Sequence, residues 1–461
     1  MRYTLFILAF LFGLISNSLL AQIITDANFA NAIRQNCPAC IDADNKLTKA
    51  ADTLTRLNVS EYKIKKLEGF NFPNLRYFDF SFNQLTDLPN VNFSNLTHFN
   101  CSRNLFTELP NYNFENLEFF ACAGNKLSQL PAYNFKNLKT FNCASNKLSQ
   151  LPEYNFENLN LFNCANNPLT ELPNYNFVQL QQFSCSGNQF KQLPAYDFEN
   201  LQYFFVNRNQ IEQLPAYNFK NLKEFDCSDN QLKQLTNYNF ANLYHFNCAN
   251  NQLVELLNYN FENLARFNCE NNQLTQLPAY NFKKIEEFDC SNNQIKELTD
   301  YNFSTLKVFY CDSNQLTQLR SYNFEKLDYF SCAYNQLQKL PAYNFQELAG
   351  FFCANNQFAE LPNYNFKKLL SFDCSNNQFE KLPNFKFLYL QYFKCSNNQL
   401  KKLPKYNFDS LLYFWANGNQ FKKLPNLPVY LTDLKVANNP LTCIPNLPNA
   451  QIDVELPVCK D

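Results

Sequence analysis

The chain has 461 residues, 39 of them basic and 40 acidic, for a net charge of −1. That balance supplies no diffuse positive field for nucleic acid or anionic lipid, and a chain that is 46% hydrophobic and 17% charged is not a disordered one. The 50 phenylalanines far outnumber the 6 glycines, and the 2 histidines, His98 and His245, leave little scope for imidazole chemistry. The 18 cysteines would mark a disulfide scaffold in a short chain without a core, but their spacing says otherwise.

Arg2 precedes an apolar run from Leu5 to Ile15, the length of a signal-peptide core and too short for a comfortable membrane span. Residues 1–21 are therefore expected to be a signal peptide cut after Ala21, with Leu19 an imperfect residue three places before the bond. Gln22 rather than cysteine follows the cut, which argues against a lipid anchor, and no later apolar segment is long enough to cross a bilayer. The mature chain is expected to be secreted or extracytoplasmic, at the outer surface or in the periplasm, without membrane insertion.

Residues 22–53 read as an amino-terminal cap with a short helix. Between Asp26 and Gln35 the side chains of Phe29, Ala32 and Ile33 share one helical face, with Thr25 or Asp26 as the cap. Cys37-Pro-Ala-Cys40 follows, and an exported location permits a short disulfide there. A redox role would need the strand and helix of the thioredoxin arrangement, and zinc a second pair of this spacing. Asp42, Asp44 and Asn45 look faintly like a calcium loop but lack its glycine and its terminal glutamate. No metal and no cofactor is expected.

Residues 54–442 repeat with a period of 21, and 443–461 form a carboxy-terminal cap. Cysteine recurs at that step from Cys101 to Cys395, with Val206 in the one exceptional slot and Ala416 in the slot that follows. Asparagine stands three positions beyond the slot in seventeen consecutive units, Asn83 to Asn419, and phenylalanine two positions before it, Phe78 to Phe414. A second phenylalanine column runs from Phe72 to Phe408, so the two columns absorb 34 of the 50 phenylalanines. A representative unit, Leu222 to Asn242, reads LKEFDCSDNQLKQLTNYNFAN.

This pattern resembles the leucine-rich repeat, whose units run from about 20 to 29 residues. Cysteine at the second inward strand position is similar to the cysteine ladder of secreted internalin-like repeats, and the shortened closing units around Leu431–Asn439 resemble those of bacterial effector proteins. The whole looks like a secreted protein of a Gram-negative bacterium such as those of the Bacteroidota. The resemblance implies the α/β repeat class: a horseshoe or arc of 21-residue units with a parallel β-sheet on its concave face and a largely helix-free convex face.

The columns also have a physical reading of their own. Phe225 and Cys227 lie two apart, so on a strand both point into the coil while Glu224, Asp226 and Ser228 point out. Asn230, stacked between Asn209 and Asn251, can bond backbone groups left unpaired at the turn. Leu232 and Leu235 fill the core. The Phe240 column is expected to form an aromatic spine with edge-to-face contacts, and Tyr238 to carry a polar tip that reaches water. In-register cysteines about 4.8 Å apart exceed the roughly 3.8 Å between β-carbons that a disulfide prefers, so the ladder thiols are expected to be free and buried. Cys443 and Cys459 are candidate partners closing the last coil.

No catalytic constellation emerges. Asp226, Asp289 and Asp373 share an outward column but stand three or more rungs apart, at least about 14 Å, too far for a carboxylate pair. His98 and His245 are seven rungs apart. The chain is expected not to be an enzyme. Early units fill outward positions with small and polar groups such as Thr140, Asn142, Ala144 and Ser145, whereas later ones carry Tyr203 and Phe205, then Tyr310, Tyr329, Tyr334 and Phe352, and finally Tyr392, Lys394, Tyr413 and Trp415. Exposed aromatics on a stiff surface suit recognition. The chain thus reads as an exported module that binds a protein or glycan at a cell surface through its concave face, with a structural or adhesive envelope protein as the alternative. The sequence does not specify its oligomeric state.

Overall fold

Phe-x-Cys alternation produces one short strand per coil, because the two apolar side chains must leave solvent on the same side. The computed structural model describes residues 23–68 and 70–459; the signal peptide expected over residues 1–21 lies outside them. The chain divides into two compact units, Met1–Gln189 with Tyr196–Phe198 and Phe190–Ala195 with Glu199–Asp461.

In the first unit the strands are β1 (Arg56–Asn58), β2 (Tyr77–Asp79), β3 (His98–Asn100), β4 (Phe119–Ala121), β5 (Thr140–Asn142), β6 (Leu161–Asn163) and β7 (Gln182–Ser184). Each pairs in parallel with the next, residue for residue at an offset of 21. In the second unit they are β8 (Tyr203–Phe205), β9 (Glu224–Asp226), β10 (His245–Asn247), β11 (Arg266–Asn268), β12 (Glu287–Asp289), β13 (Val308–Tyr310), β14 (Tyr329–Ser331), β15 (Gly350–Phe352), β16 (Ser371–Asp373), β17 (Tyr392–Lys394), β18 (Tyr413–Trp415), β19 (Asp433–Lys435) and β20 (Gln451–Ile452). The same parallel register continues, with Tyr413 opposite Asp433 and Asp433 opposite Gln451 where the coils shorten. The last strand falls within the expected cap region.

Among the described residues the one α-helix is α1 (Ala27–Asn36), and the two 3-10 turns, Pro38–Cys40 and Lys49–Thr53, also precede the repeats. The repeats carry no helix, as a largely helix-free convex face implies, and only the α/β label of the class goes unmatched. Tyr-Asn-Phe and the preceding proline keep the far side extended, since proline has no donor to give a helix.

The asparagine column joins the coils. Asn230 Nδ2 lies 3.0 Å from Val206 O in the preceding coil and 3.1 Å from Cys227 O in its own, while its Oδ1 accepts from Ile211 N–H at 2.9 Å. The first unit repeats the arrangement at Asn146 with Cys122, Cys143 and Leu127. The residue before each of these asparagines takes a left-handed turn, with φ of 54° at Asp229 and 56° at Asn250. That conformation favours asparagine, aspartate or glycine.

Phe225, Cys227, Leu232 and Phe246 are fully buried, and the fourteen ladder cysteines are free and buried. Burial pushes the Cys227 thiol well above its ordinary range. Two expectations for the far side are corrected. Tyr238 is 4% exposed and its hydroxyl donates to Pro215 O at 2.9 Å, so its tip reaches a backbone carbonyl of the preceding coil and not water. The phenylalanine spine keeps its rings parallel within its column, Phe240 to Phe261 at 6.1 Å and 13°, and tilts against the tyrosine and strand columns, Phe240 to Tyr259 at 53° and to Phe246 at 46°. The 21-residue repeat gives successive rings the same orientation, which leaves the tilted geometry to unlike columns.

Each unit closes its open end. Asp26 Oδ1 caps α1 through Asn28 and Phe29 N–H, while its Oδ2 accepts from Lys65 and Lys66 N–H of the first coil. Asn36 pairs with the backbone of Asn58 at both N–H and C=O, covering the free edge of β1. Cys37 is bonded to Cys40, and Cys443 to Cys459 beyond β19. Asp42 Oδ1 accepts from Asp44 and Lys46 N–H, a local turn in the segment with the faint calcium-loop look.

Asn230→Ala removes a donor pair and leaves Ile211 N–H without its acceptor, so unfolding should show a loss of about 2–3 kcal/mol. Cys227→Ala empties a smaller space and should lose about 1 kcal/mol. Equal costs in denaturant titrations would refute the tying role of the asparagine. A polar thiol reagent should label none of the fourteen ladder cysteines before unfolding.

Candidate functional site

Outward side chains at the first and third strand positions build the sheet face. At the third position Asp and Asn do local work: Asp226 Oδ1 accepts from Ser228 N–H at 3.0 Å and from its hydroxyl at 2.6 Å, closing the turn. Asn142 and Asn247 bond in the same way to the second residue beyond them. These columns are thus consumed in part by the fold.

In the second unit the face opens into a groove of about 650 Å³, lined among others by Asp312, Tyr334, Phe352, Asp373, Lys394, Trp415 and Lys435. Four of the aromatic and basic residues singled out from sequence, Tyr334, Phe352, Lys394 and Trp415, meet there. Lys394 Nζ lies 4.0 Å from the Trp415 ring centroid and Lys435 Nζ 4.1 Å from it, while indole Nε1 donates to Asp433 Oδ2 at 2.7 Å. Lys394 and Lys435 belong to the strands on either side of β18, so the ring stands between two ammonium groups. Tyr392 and Tyr413 stack on each other at 4.8 Å and 11° on the adjoining column.

The other expected residues are elsewhere. Tyr310 lines a smaller depression of about 180 Å³ with His245, Arg266, Glu287 and Asp289. Tyr203 and Phe205 share β8, their rings 6.5 Å apart, and line neither space. Lys435 escapes a strict 21-residue reading because the coil after Trp415 is shorter, which brings it opposite Trp415.

The first unit carries an aromatic column that corrects the expectation of small, polar early positions. The Arg56 guanidinium lies 3.5 Å over Tyr77, Tyr77 stacks on His98 at 4.0 Å, and His98 on Phe119 at 4.1 Å. Residues 56, 77, 98 and 119 are spaced by 21, so the signal was present in the sequence.

Burial lowers His98 to a pKa of about 4, with Asp79 opposing and the Arg56 charge adding to it. Burial raises Asp289 to about 6 despite the N–H and side chain of Ser291, with Glu270 and Asp312 adding repulsion. Asp312 is also raised by burial, against the Ser331 hydroxyl and Ala333 N–H that its carboxylate accepts. Among the described residues no group of three or more His, Cys, Asp or Glu is placed to hold a metal ion, and no helix is long and apolar enough to cross a membrane.

Parallel strands, an asparagine ladder and extended far sides define a leucine-rich repeat solenoid. The family model for leucine rich repeats in two copies matches residues 73–115, and no curated protein matches the chain significantly. Among solved structures the chain is similar to YopM from Yersinia enterocolitica WA-314, at 25% identity and a TM-score of 0.70 over 87% of this chain and 92% of that one. It is also similar to YopM from Yersinia pestis, a leucine-rich effector protein, at 25% identity and a TM-score of 0.53 over 74% and 88%. A leucine-rich repeat protein of Leptospira interrogans shares the fold at 22% identity and a TM-score of 0.50 over 88% and 96%.

Two of these shifted groups, His98 and Asp289, oppose each other in acid. His98 has a folded pKa below its ordinary 6.5, so its contribution to stability falls as pH drops from about 6.5 to 4; Asp289 has one above 3.8, so its contribution is lost as pH rises through about 6. Denaturant midpoints should show His98→Gln gaining on the parent towards pH 4 and Asp289→Asn gaining towards pH 7. Parallel profiles would refute both shifts.

Proposed function

We propose that the protein is a non-enzymatic binding module, exported by a bacterium, that recognises a protein partner through the sheet face of its second unit. The observation that carries this reading is Tyr334. It occupies the left-handed turn before a ladder asparagine, at φ 54°, and is 62% exposed. Most other coils put Asn, Asp, Ser or Gly there; Phe82, Arg103 and Arg208 also depart, but Tyr334 is the one such departure that lines the groove. A tyrosine in that conformation costs about 1 kcal/mol or more, burial does not offset it, and its ring stands on the groove that also holds Phe352 and Trp415.

A protein suits the groove better than a glycan. A sugar packs on an open aromatic face, but Lys394 and Lys435 stand over Trp415 and Tyr392 and Tyr413 cover one face of each other. Tyr203, Phe205 and Tyr310 then serve as outlying contacts at most. Export is supported by the bonds Cys37–Cys40 and Cys443–Cys459, which suit an oxidising compartment. The likeness to YopM, a leucine-rich effector protein, supports a binding role.

Tyr334→Asn separates binding from folding. It should raise the melting temperature slightly, since asparagine accepts the turn more readily, and weaken a partner identified by affinity capture by at least about ten-fold. Unaltered affinity, measured by calorimetry with the same partner, would remove this face from the contact.

A further inference from the structure

The near-neutral total charge conceals a strongly basic stretch. Residues 381–435 contain nine lysines against Asp409 and Asp433, a net charge of +7 in a chain whose total is −1. Lys394 and Lys435 stand on the sheet face over Trp415. Lys381, Lys401, Lys402, Lys422 and Lys423 follow the strands in three successive coils and are all exposed. Among the described residues none of these seven is in an ion pair, whereas Lys307 and Lys368 meet Glu286 and Glu347 of the coil before.

From this we infer that the partner segment entering the groove at its β17–β19 end is acidic. The inference rests on the binding-face reading above and adds the chemistry of what binds. Trp415 acts there as a positioning residue. Its ring, fixed by the bond to Asp433, holds Lys394 and Lys435 at defined places, so less side-chain entropy is lost when a carboxylate arrives. The lysines on the flank extend the positive field beyond the groove and speed encounter.

Two other polyanions fit less well. A nucleic acid would find Tyr392 and Tyr413 already stacked on each other and so less available to its bases. An anionic membrane surface would be expected to take up the exposed apolar side chains Leu388, Tyr389, Val429 and Tyr430 together with the lysines. Those residues precede their strands, whereas Lys401, Lys402, Lys422 and Lys423 follow theirs, so the two sets occupy opposite edges of the coils.

Trp415 is the sole tryptophan, so its emission reports on this end of the groove in the full mature chain. Octaglutamate peptide should change that emission saturably, and raising sodium chloride from about 50 to 300 mM should weaken binding at least about five-fold. Lys394→Gln with Lys435→Gln should weaken it about ten-fold. Replacing Lys401, Lys402, Lys422 and Lys423 together by glutamine should also weaken it, about three-fold, with the groove intact. An equal response to octalysine, no response to octaglutamate, or a tighter response to duplex DNA or to phosphatidylserine vesicles would overturn the inference. A protein partner that needs Tyr334 but ignores all these lysines would leave the binding face standing and remove only its acidic partner. A partner indifferent to Tyr334→Asn, with the octaglutamate response kept, would do the reverse.

Discussion

A single amide side chain joins each coil to the one before it. Asn230 donates into two coils at once and accepts from the leucine-type position of the earlier one, so a shift of one rung would orphan several buried backbone groups together. The other columns depend on this constraint. Once the turn is held, Phe225 and Cys227 are set inward, Asp226 is set outward, and the far side must return within a fixed number of residues. The tyrosine hydroxyls do the matching work on that far side by bonding the carbonyl of the preceding coil.

Such double fastening makes the sheet face a stiff support for side chains that take no part in the core. Stiffness has two consequences for recognition. Side chains at 21-residue spacing are brought into direct register, as in the stacks Tyr77–His98–Phe119 and Tyr392–Tyr413. It also tolerates local departures from the ladder chemistry, such as Tyr334 in a turn that suits asparagine. The departures are where binding is to be sought, because the repeating positions are already explained by folding.

Charge follows the same logic on a larger scale. Elsewhere lysines and glutamates one coil apart neutralise each other on exposed surfaces, where each pair contributes little to stability. Over residues 381–435 that pairing lapses, and among the described residues these lysines form no ion pair. A total of −1 hides this because most of the compensating carboxylates belong to other coils.

The period of 21, the inward columns, the free buried thiols and the helical cap were all legible in the sequence, because each follows from which atoms must leave water and from local spacing. Parallel register followed too, since a strict repeat admits only one offset. The hydroxyl of Tyr238 was misread because its acceptor, Pro215 O, is 23 residues away and only stacking brings it within 2.9 Å. The groove was half legible: Phe352, Lys394 and Trp415 stand out as departures from the pattern, but Lys435 joins Trp415 only through the shortened coil. The lowered pKa of His98 and the raised one of Asp289 arise from burial among neighbours that sequence does not rank by depth. Sequence alone thus determined the repeat and what each coil buries, whereas tertiary structure decided which outward side chains meet, because their encounters depend on how each turn places one rung against the next.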